Sequence, residues 1–91
     1  MDQPIAARIK SKLTEAFAPH RLTILDQSDR HAGHAGAHPL GESHFRVEMC
    51  SAAFTGISRV ERQRRVMAVL AEEMAERVHA LSLSITPPEE D

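Results

Sequence analysis

Apolar residues recur along this chain with two different periods, and each period predicts one type of element. The first segment has the three- and four-residue spacing of an amphipathic helix. Its apolar stripe consists of Ile5, Ile9, Leu13, Ala16 and Phe17. Asp2 can cap this helix and Pro4 suits its first turn, whereas Ala18-Pro19 predicts its end. The first predicted element is therefore a helix with one face to bury.

Three later segments alternate between apolar and polar residues, which is the pattern of strands with one buried face. They are RLTILDQS at 21–28, HFRVEMC at 44–50 and HALSLSIT at 79–86. The predicted inward residues are Leu22, Ile24, Phe45, Val47, Met49, Leu81, Leu83 and Ile85. Leu25 and Cys50 are expected on the opposite, polar faces.

SRVERQRRVMAVLAEEMAERV, at 58–78, is the longest periodic segment and predicts one long helix. Ser58 and Glu61 match the S-x-x-E capping box that marks a helix start. The predicted apolar face of this helix consists of Val60, Met67, Leu70, Ala71 and Met74. Gln63 falls on the same inner side, where its amide needs hydrogen-bond partners.

The order helix, strand, strand, helix, strand predicts an α+β fold in which two helices cover one face of a three-stranded sheet. We expect the first two strands to pair as an antiparallel hairpin with a long loop. The helix before the last strand permits a parallel pairing there. With 91 residues, the chain predicts one domain over 1–88, followed by a loose acidic tail at 89–91.

Composition and charge narrow the function classes. The formal net charge is -2, so nucleic-acid binding must rest on a local patch. The single cysteine, Cys50, excludes an internal disulfide and fits a reducing cytosol, so we expect a cytoplasmic protein. The N-terminal segment contains no long apolar run, so it predicts neither a secretory signal nor a membrane span. No Ser-His-Asp set, carboxylate dyad or phosphate loop is recognisable, so we do not expect an enzyme.

Basic residues crowd the start of the long predicted helix: Arg59, Arg62, Arg64 and Arg65. Cations at this end oppose the helix macrodipole, at a cost of roughly a few tenths of a kcal/mol per charge. A pattern that weakens the helix favours a functional role, as a patch for DNA phosphates or another anion. The alternative is a solvated charged face without a ligand.

Imidazoles are concentrated in DRHAGHAGAHPLGESHF, at 29–45, which contains glycines and four of the six histidines. Imidazole binds iron, and two histidines can replace two cysteines on one iron of a two-iron cluster. The candidate ligands are His31 and His34 in this loop and His79 at the opening of the last strand. Two alternatives are solvated histidines and an independent zinc site, although a glycine-rich loop disfavours the four fixed ligands that structural zinc needs.

The motifs ESHF, FTG, the arginine-rich helix start, AEEM and VHALSL follow one another in an order that resembles the BolA family. The resemblance runs from about residue 5 to residue 86 and implies an α+β fold similar to a KH-type module. Two departures occur: Arg62-Gln63-Arg64 stands where the family usually has R-H-R, and Met67 stands where a tyrosine is frequent. The G-x-x-G loop by which true KH modules hold nucleic acid is absent.

This resemblance implies two activities. The first is a heterocomplex with a monothiol glutaredoxin that shares a [2Fe-2S] cluster, with His79 of V-H-A-L as one ligand and a loop residue as the second. His34 is favoured over His31, because H-A-G-H resembles the members that use histidine in the loop. The partner would add a cysteine, and glutathione the other thiolate. The second activity is transcription regulation, with DNA bound through the arginine-rich helix start. A homodimeric interaction module without a ligand is a third alternative.

Overall fold

The computed structural model describes residues 4–26, 44–76, 78 and 80–90. These residues form three α-helices, three strands and two short 3-10 turns. In chain order they are α1 (Ile5–Phe17), β1 (Arg21–Asp26), β2 (His44–Cys50), a 3-10 turn (Ala52–Phe54), α2 (Arg59–Val69), α3 (Ala71–Glu76), β3 (Ala80–Thr86) and a second 3-10 turn (Pro88–Glu90). The α+β class is confirmed. No helix within the described ranges is both long and apolar enough to cross a membrane.

β2 is the central strand of the sheet. It pairs with β1 in the antiparallel sense and with β3 in the parallel sense, as the sequence predicts. Asp26 lies opposite Phe45, and His44 lies opposite Ala80. The end of β1 and the beginnings of β2 and β3 therefore meet at one end of the sheet.

The core lies between this sheet and the helices. Phe45, Val47 and Met49 of β2 are buried in strict alternation, which confirms the predicted inward face. Of the predicted stripe of the first helix, Ile5, Ile9 and Leu13 are buried and Phe17 is partly buried, whereas Ala16 is exposed. The remaining buried members come from α2, β3 and the connecting segments. Fully burying one Val, Leu, Ile, Phe or Met side chain stabilises the fold by about 1.5–3 kcal/mol. Cys50, which alternation places on the same face of β2 as Arg46 and Glu48, is also buried.

Both ends of α1 follow from local chemistry. Ala18 adopts a left-handed conformation (φ 43°) and its N–H donates to the carbonyl of Thr14, so the helix closes before Pro19. Pro4 precedes the first helical residue as its N-cap instead of lying within the first turn as predicted. Asp2, the predicted cap, lies outside the described residues.

The predicted long helix is divided into α2 and α3 at Leu70. Its beginning agrees with the prediction, because the Ser58 hydroxyl accepts a hydrogen bond from the Glu61 N–H at 3.2 Å. Gly56 in the preceding turn has a positive φ of 77°, a conformation that glycine adopts without strain.

Two of the five residues predicted for the apolar face of this helical region face the core, since Leu70 is buried and Met74 is partly buried against it, but the other three are wrong. Val60 is 70% exposed and Met67 37% exposed, and Gln63 and Ala71 also face solvent. The buried residues are Arg62, Val66, Leu70 and Glu73. They recur at a helical spacing, and two of them are charged. The helices are thus rotated so that two ionic side chains lie inside and two apolar ones lie outside.

Glu73 can be buried because it connects α3 to two cations of α1. Lys12 Nζ donates to Glu73 Oε1 at 3.1 Å. Glu73 Oε2 lies 2.8 Å from Arg8 Nη2 and 3.0 Å from Lys12 Nζ, although neither contact has the angles of a hydrogen bond. Burial alone would raise the pKa of Glu73, but the bond from Lys12, its own backbone N–H and both positive charges lower the pKa overall.

The chain beyond β3 continues into the second 3-10 turn. Glu89 and Glu90, expected in a loose acidic tail, lie in the 3-10 turn that follows the buried Pro87. The N–H of Glu90 donates to the carbonyl of Pro87 at 3.1 Å. Asp91 lies outside the described residues.

Candidate functional site

The three predicted iron ligands, His31, His34 and His79, lie outside the described residues, but the residues that flank them are described. Because Asp26 pairs with Phe45 and His44 with Ala80, the segment 27–43 begins and ends where β3 starts. Residue 79 is bonded to Ala80, the first residue of β3. All three candidate histidines are therefore attached through the chain to the same end of the sheet.

The residue before His79 belongs to the core. Val78 is 5% exposed, and its N–H donates to the carbonyl of Glu73 at 3.2 Å. The chain is thus held by packing on one side of position 79 and by the sheet on the other. Within the described ranges, no group of three or more His, Cys, Asp or Glu side chains is placed to hold a metal.

The cysteine and one further histidine belong to the other end of the sheet. Cys50 ends β2, where it pairs with Arg21 and Thr86, and the N–H of His20 donates to its carbonyl at 2.8 Å. A strand rises about 3.3 Å per residue, so Cys50 lies roughly 20 Å along β2 from His44. The thiol of this chain is therefore remote from the histidine-bearing end.

Three of the four predicted anion-binding arginines are exposed near the start of α2: Arg59, Arg64 and Arg65. Glu61 lies between two of them, with Oε2 3.1 Å from Arg65 Nε and Oε1 3.8 Å from Arg64 Nη1. Exposed pairs at this spacing contribute roughly 0.3–0.5 kcal/mol each, so the guanidinium groups can leave Glu61 for another anion at low cost.

Arg62, the fourth, does not belong to this exposed surface, because its side chain is only 7% exposed. Its Nε donates to the carbonyl of Ile57 at 2.7 Å, and Nη1 donates to the carbonyl of Ile85 at 3.3 Å. Nη1 and Nη2 also donate to Oε1 and Oε2 of Glu90, at 3.2 and 2.8 Å. Arg62 thus joins the start of α2, the end of β3 and the last turn.

The Arg62–Glu90 pair shifts both titrations. The hydrogen bond to Glu90 raises the pKa of Arg62 despite the opposing effect of burial. The same bond is the largest cause that lowers the pKa of Glu90, and the charges of Arg62 and Arg59 lower it further. Sequence reasoning did not predict the Arg62–Glu90 pair, since no local pattern indicates which arginine meets Glu90.

Comparison with known proteins decides the family. A family model described as BolA-like protein matches residues 13–90. The chain belongs to the BolA family. BolA-like protein 1 of Homo sapiens is 41% identical to it over 85 residues, which cover 93% of this chain and 59% of the relative. The DNA-binding transcriptional regulator BolA of Escherichia coli (strain K12) is 44% identical over 79 residues, which cover 87% of this chain and 71% of the relative.

A solved structure supports the same assignment. BolA1 from Arabidopsis thaliana superposes with a TM-score of 0.87 and 34% sequence identity, over 99% of both chains. The family predicted from ESHF, FTG and VHALSL is therefore confirmed, together with its fold. The E. coli relative is named as a transcription regulator, whereas the human and Arabidopsis proteins are named only as BolA proteins.

Proposed function

We propose that this BolA-family protein is an adaptor in iron–sulfur metabolism. It forms a heterocomplex with a monothiol glutaredoxin, and His79 with one loop histidine, His34 or His31, binds one iron of a shared [2Fe-2S] cluster. The observation that carries the proposal is the strand register, which brings both ends of segment 27–43 to the end of the sheet where β3 begins.

The available donors fit a shared cluster better than a private one. Two imidazoles on one iron are a known ligand set for two-iron clusters, and the other iron keeps two thiolates. The only thiol of this chain, Cys50, is buried at the other end of the sheet. In the proposal, the glutaredoxin therefore contributes a cysteine and glutathione contributes the second thiolate.

The function is tested by mixing the protein with a monothiol glutaredoxin, iron, sulfide and glutathione under anaerobic conditions. We expect a complex with one copy of each protein and with visible absorption and circular dichroism that differ from those of cluster-loaded glutaredoxin alone. If size-exclusion chromatography separates the two proteins and the spectrum stays that of glutaredoxin, the adaptor proposal is wrong.

The loop histidines give a second, finer prediction. Only one of them is needed beside His79, so His34→Ala should perturb the cluster spectrum more than His31→Ala. The double variant should behave as though one iron ligand were missing. The measurement is the visible circular dichroism of the three reconstituted heterocomplexes. A double variant with the wild-type spectrum would show that the loop supplies no ligand.

A second candidate function is DNA binding, as in a transcription regulator. The exposed cluster of Arg59, Arg64 and Arg65 favours it, and a 44% identical relative is named as a DNA-binding transcriptional regulator. Because the net charge of the chain is -2, binding would depend on this local cluster and on the release of counterions from the phosphates.

Charge reversal at Arg64→Glu and Arg65→Glu should abolish most DNA binding. The logarithm of the affinity falls linearly with the logarithm of the salt concentration, and each lost phosphate contact reduces this slope by about 0.9 for duplex DNA. The two substitutions together should therefore reduce the slope by about 1.8. Fluorescence anisotropy of a labelled duplex over a salt series measures this slope. Lys10→Glu, the same charge reversal per residue at an exposed position of α1, is the control for each single substitution. Equal loss in the control would mean that α2 is not the contact surface.

A further inference from the structure

A cavity of about 260 Å³ lies between the start of α2 and β3. The polar residues that line it are Arg59, Arg62, Gln63, Ser84, Thr86 and Glu90. Apart from Glu90, all of them either carry a positive charge or can donate a hydrogen bond. We propose that this cavity is a binding site for a phosphate group, and that the carboxylate of Glu90 occupies it as an intramolecular substitute.

The guanidinium of Arg62 is oriented for this role without help from Glu90. Its side chain is 7% exposed, and the carbonyls of Ile57 and Ile85 hold Nε and Nη1. The remaining N–H groups of Nη1 and Nη2 face the cavity side by side, as a fork of two donors that matches two oxygens of a carboxylate or a phosphate. Glu90 receives two hydrogen bonds from this fork.

Glu90, in contrast, is held in a way that allows its release. Its side chain is 44% exposed, and it lies in a three-residue turn after β3. Pro87 is buried and fixes the base of this turn, so the carboxylate can swing away while the core stays packed. Release leaves the buried charge of Arg62 without a counterion, which is costly unless another anion replaces the carboxylate.

A phosphate group suits the vacated space. It can accept the fork of Arg62 and, unlike a carboxylate, has further oxygens for a second cation such as Arg59, which also lines the cavity. The cavity is smaller than the roughly 300–1,000 Å³ of pockets that enclose drug-sized ligands, so it fits one phosphate group better than a whole cofactor. The phosphate could belong to DNA, which would deepen the second candidate function above, or be free inorganic phosphate.

The test compares Glu90→Gln with Glu89→Gln. Both variants lose one negative charge in the same turn, but only Glu90 binds Arg62, whereas Glu89 accepts a 3.4 Å hydrogen bond from Thr55. The Nε–H signal of Arg62 and the backbone N–H signals of Ser84 and Thr86 are followed by NMR while inorganic phosphate is added at constant ionic strength. The backbone signals also report binding in a variant that lacks Arg62. If Glu90 occupies the site about nine-tenths of the time, its removal should strengthen phosphate binding about tenfold.

We expect the tenfold gain in Glu90→Gln and wild-type affinity in Glu89→Gln. Adding Arg62→Lys to Glu90→Gln should cancel the gain, since lysine keeps the charge but lacks the fork, and circular dichroism checks that each variant is folded. An unshifted Arg62 signal in Glu90→Gln, or an equal gain in both single variants, would overturn the proposal, because the pair would then be only a structural contact or a net-charge effect.

A parallel titration with a duplex oligonucleotide identifies the source of the phosphate. If DNA uses the cavity, Glu90→Gln should steepen the salt dependence by about 0.9, which is about a 3.5-fold greater loss of affinity between about 50 and 200 mM salt. If inorganic phosphate binds and DNA does not, the phosphate site is supported and the DNA-binding function fails. The two proposals therefore fail separately.

Discussion

Replacing Arg8 and Lys12 together with methionine should lower the melting temperature by at least about 12 °C. Glu73 would then stay buried without either cation, and breaking a buried ion pair by removing one side is among the most destabilising changes known. For a domain of this size, each kcal/mol lost from the free energy of unfolding lowers the melting temperature by about 4–8 °C. Thermal unfolding followed by circular dichroism measures the shift.

Two further variants separate the loss of the ion pairs from general damage to α1. Lys10→Met, the same change at an exposed position of the helix, should shift the melting temperature by less than about 4 °C. Adding Glu73→Met to the double variant should restore most of the stability, because apolar residues often replace a buried ionic group without loss. If the double variant melts like Lys10→Met, these pairs do not hold α1 to α3.

The same comparison has a defined pH dependence. In the native protein the pKa of Glu73 is lowered, so its stabilising effect is full above the unfolded value of about 4.3 and is lost as pH falls through the folded value. Without the cations, burial would raise the pKa of Glu73 instead, and protonation would relieve the double variant. The stability difference between the two proteins should therefore shrink as the pH is lowered.

Replacing His79 with alanine should remove or visibly alter the cluster of the glutaredoxin heterocomplex. In the proposed ligand set this chain provides two imidazoles to one iron, and the substitution removes one of them. Val78 and β3 supply the core contacts on either side, so the free protein should remain folded. Visible absorption and circular dichroism of the reconstituted complex measure the effect.

His20→Ala is the matched control for this experiment. It removes one imidazole from the opposite end of the sheet, where the His20 N–H contacts the carbonyl of Cys50. The control should keep the wild-type spectrum. A wild-type spectrum in His79→Ala as well would exclude His79 from the cluster site and leave the V-H-A-L motif without a role in iron binding.

The strands could be predicted because the burial of each strand residue follows from its nearest neighbours. Phe45, Val47 and Met49 alternate with polar residues, and this alternation alone specifies which face of β2 is buried. The parallel pairing with β3 followed from the helical region between the two strands. These features need no information about distant residues.

The helical face could not be predicted in the same way. Arg62 and Glu73 share a helical stripe with Val66 and Leu70, but their charges indicate an outward position unless a partner is known. The partner of Arg62 is 28 residues away in the chain, and that of Glu73 is 61 residues away. A local pattern contains neither pairing, although the helical spacing of the stripe was a signal that could have been noticed.

The candidate sites divide along the same line. Exposure of Arg59, Arg64 and Arg65 agrees with their charge, whereas the burial of Arg62, between backbone carbonyls and Glu90, was not foreseen. His31, His34 and His79 lie outside the described residues, so their role as iron ligands remains a prediction from their type and their place along the chain.

The way in which β1 meets β2 has an evolutionary consequence. Their register, from Arg21–Cys50 to Asp26–Phe45, is fixed by the inward side chains of both strands, which are partly buried in β1 and buried in β2, and requires no tight turn. The entropy of closing a connecting segment changes slowly with its length, by about 0.6 kcal/mol for each doubling. Insertions and substitutions between residues 26 and 44 can therefore add, remove or exchange metal-binding side chains at nearly constant fold stability, and new ligand chemistry can be sampled there without endangering the scaffold.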